Sequence, residues 1–189
     1  LPGPFVKRLD AQTRDQASSL LHAISQAVFA EDLEDNFLHR GWLQRWLEKI
    51  PDYLDWQIAR EEEGRVATVE ADLRTEGFAP NLELQGRLDR IDQRQEGMAV
   101  VDYKTGGIAS EEEVLNGEAI QLPFYALLAQ HQQIAVTQVE YLALDSGKLG
   151  SKVVLANDAL QQLSTGCAER LCQLQNEMSA SQGLPAWGD

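Results

Sequence analysis

The chain has 189 residues, 43% of them hydrophobic, enough to bury a core within one domain and unlike the composition of a disordered segment. No apolar run approaches the roughly 20 residues that span a bilayer, and the first residues do not read as a basic-then-apolar signal segment. The net charge of −14, from 16 Lys and Arg against 30 Asp and Glu, argues against tight independent binding to nucleic acid through phosphate contacts; a bound metal ion or neighbouring domains would relax that constraint.

From about residue 10 to residue 30 the spacing of Leu20, Leu21, Ile24, Val28 and Phe29 predicts a helix. His22 lies within it and, taken alone, is a packing residue beside an apolar stripe. A second helical stretch is expected from about Leu33 to Glu63, interrupted near Pro51. Trp42, Leu43, Trp46, Leu47 and Ile50 form its packing face, and Glu61-Glu62-Glu63-Gly64 marks its end. Residues 66–73 alternate as a strand, and Pro80-Asn81 predicts a turn.

A hairpin follows. Gly86 to Asp92 and Val100 to Lys104 both read as strands, and Gln95-Glu96-Gly97 between them supplies a turn with Gly where φ > 0 is needed. Leu82, Leu84 and Leu88 share one face, which puts Asp89 on the other. Counting outward from the turn sets Asp89 opposite Asp102 within a residue or two, and Lys104 lies on the same strand face as Asp102. Two close carboxylates repel unless a proton or a cation separates them. Oxygen donors suit Mg²⁺ or Mn²⁺, and a nearby lysine suits developing negative charge on a phosphate. The alternative is a surface hairpin whose acids and lysine pair in solvent.

Beyond the Gly106-Gly107 break, Ser110 and Glu113 form a capping-box start for a helix that Gly117 interrupts. Residues 118–130 continue as a helix, with Pro123 placed in a first turn or at a kink. Gln121 and Tyr125, four apart, fall on one face of it. Strands at residues 135–144 and 151–155 flank an Asp145-Ser146-Gly147 turn, and Asn157 caps a last helix reaching about Ser181. Cys167 and Cys172 lie in that helix without His or Cys at ligand spacing. They read as reduced thiols of a cytoplasmic protein. Leu1 in place of Met, and the interrupted-looking run from Leu184 to Asp189, lead us to expect a segment of a longer protein.

Three stretches in order, Gly86-Arg87-Leu88-Asp89, Val101-Asp102-Tyr103-Lys104-Thr105-Gly106 and Gln121-Leu122-Pro123-Phe124-Tyr125, resemble the G-x-x-D, D-Y-K and Q-x-x-x-Y motifs of RecB-like nucleases. These are the AddB/RecB-type exonuclease modules of the PD-(D/E)XK superfamily. The resemblance implies an α/β, restriction-endonuclease-like core with a mixed central sheet flanked by helices at 65–189, preceded by an N-terminal helical region at 1–64. It implies Mg²⁺ or Mn²⁺ as cofactor, with Asp89, Asp102 and the Tyr103 carbonyl as metal ligands and Lys104 as the catalytic lysine. Gln121 and Tyr125 would support the site. His22 resembles the additional ligand that such proteins carry on an N-terminal helix, and Glu70 matches an extra acid some members use. Some members hold an iron–sulfur cluster with four cysteines; the cysteines here do not fit that pattern, so no cluster is expected.

The expected function is metal-dependent DNA hydrolysis of exonuclease type in repair and recombination, within a larger helicase–nuclease-like protein whose partners are DNA and helicase-like domains. Three alternatives remain open: a nuclease-fold module with a structural or DNA-binding role, a small acidic metal-binding or interaction domain, and a resolvase-type endonuclease.

Overall fold

The computed structural model describes residues 8–30, 37–144, 147 and 149–180. Its elements are α1 (Arg14–Phe29), α2 (Phe37–Glu63), β1 (Gly64–Ala79), β2 (Leu82–Arg94), β3 (Gly97–Lys104), α3 (Glu111–Leu115), α4 (Gln121–His131), β4 (Val136–Ala143), β5 (Gly150–Ala156) and α5 (Asn157–Ala180). The five strands form one sheet in the order β1-β2-β3-β4-β5. β2 and β3 are antiparallel. Between β3 and β4, Met98 N–H donates to the Ala135 carbonyl and Leu144 N–H donates to the Lys104 carbonyl. Numbering rises together along both strands, so this pair is parallel, with α3 and α4 in the crossover. The result is the mixed, helix-flanked sheet of a restriction-endonuclease-like fold. Among the described residues no helix is long and apolar enough to cross a membrane.

The chain divides into two compact units. One comprises Leu1–Arg65, Tyr103–Ile108 and Tyr141–Lys152. Its helices α1 and α2 meet over Leu9, Ala17, Ile50 and Leu54, with Leu21, Trp46, Leu47 and Ile58 packed against them. Asp10 accepts from the backbone of Gln12 and Thr13, forming a turn that delays α1 to Arg14 rather than Asp10. Arg14 then reaches α2, pairing with Asp55 at 2.6 Å and donating to the Pro51 carbonyl at 3.2 Å. The expected interruption at Pro51 does not occur: α2 runs through it as one helix, its apolar face holding the turns on either side against α1. The expected beginning of this stretch at Leu33 lies outside the described residues.

The other unit comprises Val66–Asp102, Ala109–Glu140 and Val153–Asp189. Leu84, Leu88, Val100, Val101, Leu122, Leu128 and Leu160 are among its buried side chains. β1 extends past the predicted end at residue 73 to Ala79, because residues 74 and 75 find partners on β2: Arg74 pairs with Glu83, and Leu84 N–H donates to Thr75 Oγ1. The Pro80-Asn81 turn forms as expected, with Asn81 at φ 60°. The capping box at Ser110 and Glu113 is complete, α3 stops before Gly117 at φ 74°, and Pro123 sits in the first turn of α4. Asn157 opens α5. The free thiols of Cys167 and Cys172 lie on that helix, and burial raises the Cys167 thiol above its ordinary pKa. The expected helix end at Ser181, together with Asp145 and Ser146 of the predicted turn, lies outside the described residues.

Candidate active site

The hairpin fixes the first two acids. Arg94 pairs with Gly97 across a two-residue turn, and Gly97 carries the positive φ, at 139°. A Cβ there would lie 2.5 Å from Thr137 Cγ2 and 2.8 Å from the Ala135 carbonyl oxygen, so only glycine fits. The register then runs outward to Arg90 opposite Val101. One further step sets Asp89 opposite Asp102, as the count from the turn predicts. Asp102 is 3% exposed, and Asp89 is partly exposed.

Helix α4 brings the third motif to these acids. Gln121 Nε2 donates to Asp102 Oδ1 at 3.1 Å and to the Tyr125 hydroxyl oxygen at 2.9 Å. Burial raises the Tyr125 hydroxyl above its ordinary pKa; the Gln121 hydrogen bond opposes this, while the negative charges of Asp102 and Asp89 and a hydrogen bond to Asp102 add to the rise. The phenol therefore keeps its proton and can donate it to a carboxylate. Gly86 permits this approach: a Cβ on it would stand 3.0 Å from Leu128 Cδ2 and 3.7 Å from the Tyr125 ring. The glycine of G-x-x-D thus acts through packing, by letting α4 lie close over β2.

Lys104 ends β3, and its ammonium lies 5.1 Å from the centre of the Tyr141 ring, a contact that suits a positive charge. Tyr103, before it, is partly exposed. His22 sits in mid-α1 with Nδ1 2.8 Å from the Ser18 carbonyl oxygen. A carbonyl only accepts, so Nδ1 carries the proton, and Nε2 of the neutral ring holds the lone pair a metal would use. Glu70 is exposed at φ 52°, and its carboxylate pairs with Arg87 at 2.6 Å.

Sequence reasoning missed a buried ion pair. Arg90 Nε and Nη2 meet Asp92 Oδ1 and Oδ2 at 2.6 and 3.1 Å on the leucine face of β2, with both side chains almost fully buried. The only signal was their spacing: two apart on a strand, they share a face with Leu84 and Leu88.

Among the described residues no three His, Cys, Asp or Glu side chains gather as a metal-holding group. Two opposed carboxylates are nonetheless a fitting donor set for Mg²⁺, which binds through one or two carboxylates and completes its shell with water and substrate phosphate.

Comparison with known families matches residues 5–186 to the PD-(D/E)XK nuclease superfamily. The chain belongs to that superfamily. Asp102-Tyr103-Lys104 at the end of β3 reads as D-x-K, the pattern in the superfamily's name. Membership implies a nuclease, a hydrolase of phosphodiester bonds with DNA as substrate. A search of curated proteins gave no match.

Proposed function

We propose that the chain is a Mg²⁺- or Mn²⁺-dependent deoxyribonuclease of RecB-like exonuclease type, acting in DNA repair and recombination as a cytoplasmic module of a larger helicase–nuclease-like protein. The observation that carries this reading is the Gln121 amide, which bonds both Asp102 and Tyr125 and so joins the D-Y-K strand to the Q-x-x-x-Y helix.

In this reading Asp89, Asp102 and the Tyr103 carbonyl would hold the metal. His22, which forms no metal-holding group with the two acids among the described residues, is the additional ligand that the resemblance offers and would have to join them on metal binding. When bound, Mg²⁺ or Mn²⁺ neutralises charge on the scissile phosphate and makes the attacking water more acidic. Asp102, fixed by Gln121, presents its carboxylate without a search through rotamers. Lys104 contributes a cation to the charge that develops on the phosphate. Tyr125, protonated, holds the Asp102 carboxylate in place. Glu70, engaged by Arg87, is an auxiliary acid only if that pair opens.

End-labelled linear DNA, single- and double-stranded, and closed circular DNA of the same sequence test the type of activity. The proposal expects Mn²⁺-dependent release of label from linear substrates and intact circles. Nicking of circles at a comparable rate would replace it with an endonuclease. The chain's −14 charge favours a second reading, a nuclease-fold module with a structural or DNA-binding role; linear DNA left intact under every metal condition selects it.

A further inference from the structure

In the unit that carries α1 and α2, a cavity of about 650 Å³ is lined by Phe29, Trp42, Arg45, Trp46, Lys49 and Thr105, within the size range of small-molecule and nucleobase sites. Thr105 is the residue after Lys104, so the cavity opens one residue along the chain from the proposed catalytic lysine. Trp42 is half exposed, an unusual cost for so large an apolar ring. His39 lies against it, ring centres 4.9 Å apart and planes 31° from parallel, showing that this indole accepts a flat partner. The Trp46 indole N–H donates to Ser25 Oγ at 2.7 Å, which fixes that ring in the wall.

The charges at the rim are positive in balance. Arg45 is exposed and makes no ion pair among the described residues, and Lys49 is steered by a bond to the Gly147 carbonyl. The rim carboxylate, Glu48, accepts from Gln44 at 2.9 Å. The unit as a whole is close to neutral, with eleven of the chain's 16 Lys and Arg and 13 of its 30 acids. The strong acidity of the protein is therefore concentrated in the other unit. Aromatic faces set among cations are the chemistry that holds unpaired nucleotides, the rings stacking on bases and the cations tracking phosphates.

We propose that this cavity is a stacking subsite for an unpaired base of a DNA strand, with Trp42 as the platform and Arg45 holding an adjacent phosphate. The inference rests on the nuclease reading for its choice of DNA, and it makes the preferred substrate a single-stranded end rather than a blunt duplex.

Tryptophan fluorescence of the whole chain, titrated in EDTA with oligothymidylate and with an abasic oligomer of equal length, separates stacking from charge. One stacked base corresponds to about tenfold in affinity. Oligothymidylate should bind about tenfold tighter than the abasic strand; Trp42→Ala should abolish that difference, and Trp42→Phe should keep part of it. Arg45→Ala should weaken both strands alike. Equal binding of the two oligomers, binding of neither, or an undiminished difference in Trp42→Ala overturns the proposal. Because no metal is present, the outcome is independent of cleavage. DNA hydrolysis without base-dependent binding would leave the nuclease reading standing and remove the subsite, and the reverse result would do the opposite.

Discussion

Replacing Gln121 by Ala removes the side chain that joins Asp102 to Tyr125. Its amide donates to Asp102 Oδ1 at 3.1 Å, and Asp102 is 3% exposed, so solvent does not readily supply a substitute donor. Loss of a hydrogen bond to a buried charged acceptor costs about 1–3 kcal/mol. For a chain of this size that corresponds to a fall in Tm of about 2–12 °C. Thermal and urea denaturation followed by circular dichroism in EDTA measures the loss without interference from bound metal. The same substitution in an Asp102→Asn background isolates the charged part of the interaction. Hydrogen bonds to ions are roughly twice as strong as neutral ones, so the cost of Gln121→Ala should fall by about half there. A Gln121→Ala protein within about 0.5 kcal/mol of the parent, or an equal loss in both backgrounds, refutes the account of Gln121 as the side chain that holds Asp102.

Two further outcomes follow from neighbouring contacts. Gly86→Val should cost about 1–3 kcal/mol by overpacking, because even a Cβ stands 3.0 Å from Leu128 Cδ2; its DNA cleavage should drop further than its Tm accounts for, since α4 carries Gln121 and Tyr125, and unchanged activity in a folded Gly86→Val protein contradicts the packing role given to this glycine. At low pH, Glu113 and Asp55 set the sign: the Ser110 backbone bond lowers the Glu113 carboxyl, and the Arg14 hydrogen bond lowers that of Asp55. Stability from both is present above their ordinary values of 4.5 and 3.8 and is lost as pH falls through the lowered folded values. Ser110→Ala keeps the backbone bond but removes the hydroxyl that donates to the Glu113 carboxylate and accepts from the Glu113 N–H. It should therefore melt below the parent at pH 7, and the gap should narrow toward pH 3 as the carboxylate is protonated; a gap that widens on acidification contradicts the capping-box assignment.

The parts of the fold legible in the sequence are those set by local chemistry. The Gln95-Glu96-Gly97 stretch marks the hairpin and brings Asp89 to within a residue or two of Asp102, while the exact register depends on the turn being two residues long, with Gly97 already paired to Arg94. Ser110 with Glu113 announces the start of α3, and the four-residue spacing of Gln121 and Tyr125 places both on one helical face. What stays hidden depends on partners distant in sequence. The Arg74–Glu83 and Thr75–Leu84 contacts extend β1 through residues whose own pattern does not read as strand. Pro51 reads as a break until the apolar contacts of α1 with α2 are in place. The burial of Arg90 and Asp92 follows from the face they share with Leu84 and Leu88, yet charged side chains on a strand ordinarily predict solvent. Glu70 reads as available to the site, and its pairing with Arg87 depends on β1 lying beside β2.

The central claim is that Asp102 and Lys104 form the catalytic pair of a metal-dependent nuclease. Single-turnover cleavage of end-labelled linear DNA in saturating Mn²⁺, comparing the parent with Asp102→Ala and Lys104→Ala, tests it most directly. The account predicts that the parent degrades the strand and that each variant, folded by circular dichroism, loses nearly all cleavage, by about 100-fold or more. Cleavage by either variant at the parent's rate contradicts it.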